Sequence, residues 1–118
     1  MIRHLKKKHI IMSDEKVSVN TWGPPMWRSI HTLTLTYPNY PTRDHMQTAL
    51  NYFINLGRII PCIVCRNHYQ TFLKKYPIQD ACTSKTKLFK YFVDMHNFVN
   101  RLNKKKVYTY DEALAIYV

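Results

Sequence analysis

Apolar residues recur at intervals of three and four along most of the chain, and this spacing predicts helices rather than strands. The first such segment, residues 21–37, has Pro24 and Pro25 near its start, where the opening turn of a helix tolerates a missing N–H. The positions that share one face of this helix are Trp27, Ile30, His31 and Thr34. Pro38 and Pro41 end the pattern.

Four more helices follow, and most have a recognisable N-terminal cap. They are a second helix from a Thr42 cap to Arg58, a third over residues 63–76, a fourth from a Thr83 or Ser84 cap to about Asn103, and a short fifth after Thr109. The fifth begins with a capping box formed by Thr109 and Glu112. No segment has a convincing strand pattern, so we predict an all-α fold, a four-helix bundle with a short fifth helix.

Composition limits what this bundle can be. With 118 residues the chain forms one domain, and no apolar run reaches the ~18 residues of a membrane span. Residues 1–20 are basic and lack a sustained apolar period, so we assign them to a flexible tail, with a possible true start at Met12, and residues 21–118 to the domain. The formal charge of +11 favours an anionic ligand or partner. Because only Gly23 and Gly57 are present, neither a glycine-rich dinucleotide motif nor a P-loop can form.

The candidate chemistry lies at the start of the third helix, where Cys62 and Cys65 form a C-x-x-C motif. This spacing permits a reversible disulfide, and helix N–H groups together with Arg66 and His68 favour a thiolate there. A structural zinc site would add His68 and Cys82 to the two cysteines. Two reduced core cysteines are a third possibility, so the motif alone leaves the alternatives open.

Three segments together resemble one known family, the flavin-linked sulfhydryl oxidases of the Erv/ALR type. Residues 22–31 resemble the family's W-G-x-x-x-W-x-x-[LI]-H opening, and residues 61–65 resemble its proximal disulfide. Residues 96–104 resemble its flavin-contact motif, which begins H-N-x-V-N. The three segments occur in the family's order and span about residues 21–106.

This resemblance implies a thiol oxidase that holds FAD at one end of the bundle. Cys62 would exchange disulfides with substrate thiols, and Cys65 would face the flavin and pass electrons to it. The reduced flavin would then deliver two electrons to O₂ and give hydrogen peroxide. Electron donors would be protein thiols or a thioredoxin-like carrier.

The same resemblance assigns the residues that contact the cofactor. They are Trp22, Gly23, Trp27, His31, Tyr91, His96, Asn97, Asn100, Lys104, Lys105 and Tyr117. On the fourth helix His96 and Asn100 share a face, because they are four residues apart. The lysines after that helix would neutralise the phosphates. No metal ligand is implied.

Some family features are absent. The structural disulfide has no counterpart, since its first position falls at about Val93, and no distal cysteine pair exists. We expect Cys82 to be a packed free thiol or a dimer contact. This minimal form resembles the oxidases of large DNA viruses, which implies the host cytoplasm or the virion, with the mitochondrial intermembrane space and the endoplasmic reticulum as alternatives. The family also implies a homodimer, formed through the first helices.

The basic charge allows one further alternative, a helical module that binds nucleic acid through its lysines and interleaved tyrosines. We favour the interpretation that the charge serves the cofactor and solubility. Nucleic acid and membranes are not expected partners.

Overall fold

The computed structural model describes residues 17–118 and is helical, with no strand in that range. The helices are α1 (Val19–Leu35), α2 (Arg43–Ile59), α3 (Ile63–Lys75), α4 (Lys85–Leu102) and α5 (Tyr110–Tyr117), with a 3₁₀ turn at Asp80–Thr83 between α3 and α4. The predicted all-α architecture is therefore confirmed. None of the helices described is both long and apolar enough to cross a membrane.

All five helices begin at a side-chain cap. Hydroxyl oxygens of Ser18, Thr42, Ser84 and Thr109 accept a backbone N–H at the starts of α1, α2, α4 and α5. The capping box predicted for α5 is present. Helix α3 differs, because its cap is the sulfur of Cys62. The two cysteines are therefore placed by the same local geometry that starts the helix.

The first helix starts earlier than predicted. Ser18 caps it and α1 runs from Val19, so residues 19 and 20, which we assigned to the tail, belong to the bundle. Pro24 and Pro25 consequently lie inside the helix, and the i−4 carbonyls of residues 20 and 21 lack their usual N–H donors. The rest of the predicted tail and the possible start at Met12 lie outside the described residues.

The core is centred on α4, which packs against α1, α3, α5 and the 3₁₀ turn. Its largest fully buried side chains include Phe92, Leu88 and Met95. Cys82 belongs to the same core and is only 2% exposed, as expected for a packed free thiol. Helices α2 and α3 approach closely at Gly57, where a Cβ would overlap the ring of Tyr69.

The link between α4 and α5 is fixed by backbone hydrogen bonds. Lys104 has φ 56°, the left-handed conformation, and the N–H of Lys105 donates to the carbonyl of Asn100 at 2.8 Å. The N–H of Lys104 donates to the carbonyl of Arg101 at 3.1 Å, which completes a Schellman motif. The chain therefore leaves α4 in a defined direction and returns to pack α5 against α1 and α4.

Candidate functional site

A cavity of about 810 Å³ lies between α1, α4 and the beginning of α3, and is closed on one side by α5. This volume falls within the roughly 300–1,000 Å³ of typical ligand pockets. Its lining is mostly apolar and aromatic, and polar groups reach it from α1 and α4. One cavity thus brings together the three sequence segments that we singled out.

Eleven of the thirteen predicted site residues line this cavity. They are Trp22, Gly23, Trp27, His31, Cys62, Cys65, His96, Asn97, Asn100, Lys105 and Tyr117. Helix α1 supplies four of them, because residues 23, 27 and 31 recur at intervals of four and residue 22 lies beside them. Helix α4 supplies three more, at positions 96, 97 and 100.

Tyr91 lies elsewhere. It is buried in the core against Phe72 and Phe92, and its hydroxyl donates to the carbonyl of Tyr76 at 2.6 Å. It borders a smaller cavity of about 350 Å³ instead. Tyr91 and His96 are five positions apart, which places the two side chains on different faces of α4. The packing gives Tyr91 a structural role, and its contact with the cofactor stays a prediction that its place outside the cavity does not support.

Lys104 is the second predicted residue outside the cavity. Its left-handed backbone conformation ends α4, and its side chain is exposed. Lys105, the next residue, does line the cavity. Lys106 also reaches the cavity, but its ammonium pairs with the carboxylate of Glu112 at 3.3 Å. Lys105 is therefore the lysine of this run best placed to meet an anionic ligand.

Aromatic rings form one wall of the cavity, which we call the histidine wall and define as Trp27, His31, His96 and Tyr117. The rings of Trp27 and His96 stack in parallel, with centroids 4.0 Å apart and planes 4° apart. His31 stacks on Tyr117 at 4.5 Å. One histidine donates to the other, since His31 Nε2 lies 3.0 Å from His96 Nδ1. The sequence motif predicted the four residues but not this direct pairing.

Both histidines of the wall are neutral near pH 7. Burial lowers the pKa of His31 to about 3, and repulsion from His96 adds to the effect. Burial likewise lowers the pKa of His96 to about 4, with repulsion from Lys105 as a second cause. A neutral imidazole can donate through one nitrogen and accept through the other. The wall therefore offers hydrogen-bonding groups without adding charge.

Three buried polar atoms beside the cavity have no hydrogen-bond partner among the described residues: Trp22 Nε1, His31 Nδ1 and Asn100 Nδ2. An unpaired buried polar group costs about 1–3 kcal/mol. The Trp22 and Asn100 nitrogens are obligate donors, so a ligand rich in acceptor atoms would satisfy both, whereas the His31 nitrogen donates or accepts according to its tautomer.

Asn97 has a different role from His96, the residue before it on α4. Its amide nitrogen donates to the carbonyl of Tyr108 at 2.7 Å, and its oxygen accepts the Tyr108 N–H at 3.0 Å. The Asn97 amide thus pairs with the N–H and the carbonyl of Tyr108, as a neighbouring strand would, and holds residue 108 against α4. Asn97 also lines the cavity, so its predicted contact with the cofactor stays a prediction beside this structural role.

The two cysteines have unequal environments. The sulfur of Cys62 accepts the N–H of Cys65 at 3.3 Å, and hydrogen bonds from the Cys65 side chain and backbone lower the pKa of Cys62. Burial raises the pKa of Cys65 to about 11, and the neighbouring Cys62 sulfur adds to this. When both are reduced, Cys62 therefore ionises first. Both sulfurs are partly accessible and line the cavity.

The zinc alternative has no geometric support in the part of the chain that the structure describes. No three histidine, cysteine or carboxylate side chains converge there as metal ligands. Cys82 lies in the core, where burial raises its pKa to about 11.

Some cavity residues were not predicted as ligand contacts. Arg28 lies over the ring of Tyr117 at 5.7 Å, and Tyr108, Val64 and His68 also line the space. Arg28 follows Trp27 inside the tryptophan motif of α1, so the motif could have identified Arg28 as a cavity residue. Tyr108 could not have been found in this way, because its position depends on hydrogen bonds between its backbone and the side-chain amide of Asn97.

A helical bundle that encloses a ligand-sized cavity, with a C-x-x-C dithiol bordering it, defines a redox-active, cofactor-binding helical protein. The family model described as Erv1/Alr matches residues 24–117. The chain belongs to the Erv1/Alr family.

Individual relatives agree with this assignment. A probable FAD-linked sulfhydryl oxidase of Acanthamoeba polyphaga mimivirus is 35% identical over 99 residues, covering 83% of this chain and 69% of the relative. A FAD-linked sulfhydryl oxidase of African swine fever virus is 29% identical over 97 residues, covering 81% and 79%. The yeast Erv1 core superposes with a TM-score of 0.77 at 18% identity, over 92% of this chain and 90% of that one, which shows the shared fold.

Proposed function

We propose that this protein is a FAD-linked sulfhydryl oxidase that forms disulfide bonds with the Cys62–Cys65 pair. One observation carries the proposal: the pair borders the same cavity as the stacked aromatic rings and the unpaired polar atoms. Family membership and the names of the viral relatives support it.

The residues that line the cavity fit FAD. Aromatic faces suit its fused rings, and Trp22 Nε1 and Asn100 Nδ2 are buried donors that its carbonyl, hydroxyl and ring-nitrogen acceptors can satisfy. Lys105 and Arg28 supply positive charge for the two phosphates. When bound, FAD accepts the electron pair of a dithiol and delivers it to O₂, giving hydrogen peroxide.

The chain's own part in the reaction is disulfide exchange. A substrate thiolate attacks the Cys62 sulfur of the oxidised pair, and Cys65 leaves as a thiolate. In this mixed disulfide Cys62 carries no charge, so its contribution to the raised pKa of Cys65 is lost. A second substrate thiol then releases Cys62. Cys65, the more buried of the two, remains on the cavity side to reduce the cofactor.

Substrates and surroundings complete the proposal. The electron donors are protein thiols or a thioredoxin-like carrier, and the acceptor is O₂. The viral relatives support a viral protein that acts in the host cytoplasm or the virion. A homodimer through α1 and α2 is part of the proposal, since Leu33 and Tyr52 expose apolar surface on those helices.

The test is a purified preparation assayed with dithiothreitol. We expect a yellow protein that releases FAD on denaturation and consumes O₂. Cys62→Ser and Cys65→Ser should each lose at least about a hundredfold in turnover, because neither leaves a disulfide to attack. Cys82→Ala is the matched control and should keep turnover within about twofold, since its sulfur is in the core. A colourless protein without FAD would contradict the proposal.

A further inference from the structure

Three branched aliphatic residues lie in or near the redox motif along the chain, and their side chains are exposed to solvent. Ile59 ends α2 and is 76% exposed, while Ile63 and Val64, between the cysteines, are 67% and 56% exposed. We call these three residues the apolar rim. Isolated exposed apolar residues are ordinary, but three of them within six positions that also include a reactive cysteine favour an interaction site.

The charge around the rim has one sign. Between Asp44 and Asp80 the chain has no acidic residue, whereas this stretch holds two arginines and two lysines. The arginines, Arg58 and Arg66, each lie next to a rim residue or a redox cysteine in the sequence. The Nε of Arg66 is buried and has no hydrogen-bond partner in residues 17–118. A carboxylate would find complementary charge here, and no acidic residue lies between positions 45 and 79 to compete with it.

We propose that the apolar rim, with Arg58 and Arg66, docks an acidic polypeptide segment that carries an apolar side chain beside its reactive cysteine. The proposal rests on the oxidase function above and specifies its substrate. A rim of aliphatic side chains binds apolar groups by removing them from water, and the two guanidiniums orient carboxylates on either side. Dithiothreitol has neither a carboxylate for the guanidiniums nor a branched aliphatic group for the rim.

The exchange at this surface balances without a further reagent. The peptide thiolate forms a bond to the Cys62 sulfur, the Cys62–Cys65 bond breaks, and its electron pair leaves on Cys65. A second peptide thiolate attacks the peptide sulfur of the mixed disulfide and releases Cys62. The peptide ends as a disulfide, and the reduced enzyme pair holds its two electrons and takes from solvent the two protons that the peptide thiols released.

A second copy of this chain is a poorer occupant. Residues 45–79, which carry this surface, hold two arginines and two lysines and offer no acid to pair with the arginines of another copy. Two such surfaces would therefore repel. An acidic, partly unfolded substrate has both the charge and the exposed apolar side chains that the rim requires.

The experiment compares three dithiol peptides of equal length with dithiothreitol, by oxygen consumption. One peptide is acidic and apolar, a second replaces its apolar residues with serine, and a third replaces its acids with lysine. We expect kcat/KM to be highest for the first, by about tenfold over each of the others at low salt. The advantage over the lysine peptide should shrink as salt rises.

The test variant is Ile59→Ser/Ile63→Ser, since neither side chain lines the cavity. It should lose about tenfold in kcat/KM for the acidic apolar peptide and keep its dithiothreitol rate within about twofold. If the double variant does not fold, the single variant Ile59→Ser replaces it in the same comparison. Tyr40→Ser is the matched control, because Tyr40 is also exposed, at 94%, but precedes the N-terminus of α2. The length of α2 places it about 25 Å from Ile59 at the other end.

The outcomes separate the two proposals. Equal kcat/KM for all three peptides, with full dithiothreitol activity, would overturn the docking surface and leave the oxidase intact. Absence of dithiothreitol oxidation in the wild type would overturn the oxidase itself. A double variant that changes from dimer to monomer on a sizing column would show that the rim contacts a second copy, and this also overturns the inference.

Discussion

The histidine wall and the start of α3 border the same cavity but differ in almost every physical respect. His31 of the wall is buried and its other three residues are half-buried, and its two histidines are paired with each other and neutral. The start of α3 exposes aliphatic side chains and holds a sulfur whose pKa is lowered by hydrogen bonds. The histidine wall is suited to hold a ligand, and the start of α3 is suited to react with a substrate that binds and dissociates in each cycle.

This difference assigns distinct effects to substitutions on the two sides. Changes in the wall or its supports should alter stability and cofactor affinity. Changes at the cysteines or the apolar rim should alter turnover and leave the bound cofactor in place. The following tests examine that division, beginning with the largest expected effect.

Acidification should destabilise the cofactor-free protein through the wall. Unfolded histidines bind a proton near pH 6.5, whereas His31 and His96 bind one only near pH 3 and 4. Between those values the unfolded state holds more protons, so stability falls as pH falls. We expect a loss of roughly 2–4 kcal/mol between pH 7 and 5, measured by urea unfolding.

The matched controls use histidines in and outside the wall. His31→Asn/His96→Asn should flatten the profile, whereas His45→Gln, at an exposed position of α2, should not. A wild-type profile as flat as that of the double variant would contradict the buried neutral pair.

Asn97→Ala tests the support behind the wall. It removes both hydrogen bonds to the Tyr108 backbone and should lower the unfolding free energy by about 2 kcal/mol. For a domain of this size the melting temperature would fall by roughly 8 °C or more. Asn55→Ala, at an exposed position of α2, should change it little. Equal melting temperatures for the two variants would remove the supporting role.

Asn100→Leu tests a contact between the cofactor and a cavity residue next to the histidine wall. Its unpaired amide nitrogen would lose a hydrogen bond to FAD, so the affinity for FAD should fall about tenfold, followed by absorbance titration. Cofactor-free stability should not fall in parallel, because the amide has no protein partner to lose. Unchanged FAD affinity would place the cofactor away from this residue. Cys62→Ser should bind FAD as tightly as the wild type.

Lys104→Gly gives the smallest effect and checks a residue that the sequence motif assigned to the cofactor. Glycine suits the left-handed conformation at φ 56°, so stability should rise by about 0.5–1 kcal/mol. FAD affinity should not change, because the side chain does not line the cavity. Lys105→Gly is the comparison and should weaken FAD binding. A loss of affinity in Lys104→Gly would restore its predicted role.

Most of the bundle could be predicted from local patterns. The caps at Thr42, Ser84 and Thr109 were correct, since a cap depends on a few neighbouring residues. The start of α1 was wrong because two adjacent prolines were taken to mark the first turn. Ser18 caps the helix upstream of them, and the helix tolerates both prolines in its interior.

The site could be predicted only as far as motifs reach. Spacing along α1 and α4 identified the faces that line the cavity, but the bond between His31 and His96 joins positions 65 residues apart. Lys104 and Lys105 are indistinguishable as sequence neighbours, and only the backbone conformation after α4 separates them. The role of Asn97 likewise depends on the path of residues 103–109, which brings the Tyr108 backbone next to α4.

The cap of α3 shows how function and folding compete at one atom. Serine and threonine cap the other described helices, and a thiol sulfur accepts hydrogen bonds more weakly than a hydroxyl oxygen. By folding criteria alone, position 62 would hold an oxygen. The chain gives up some stability there because only sulfur can form the disulfide. An inactive Cys62→Ser protein should therefore melt no lower than the active one.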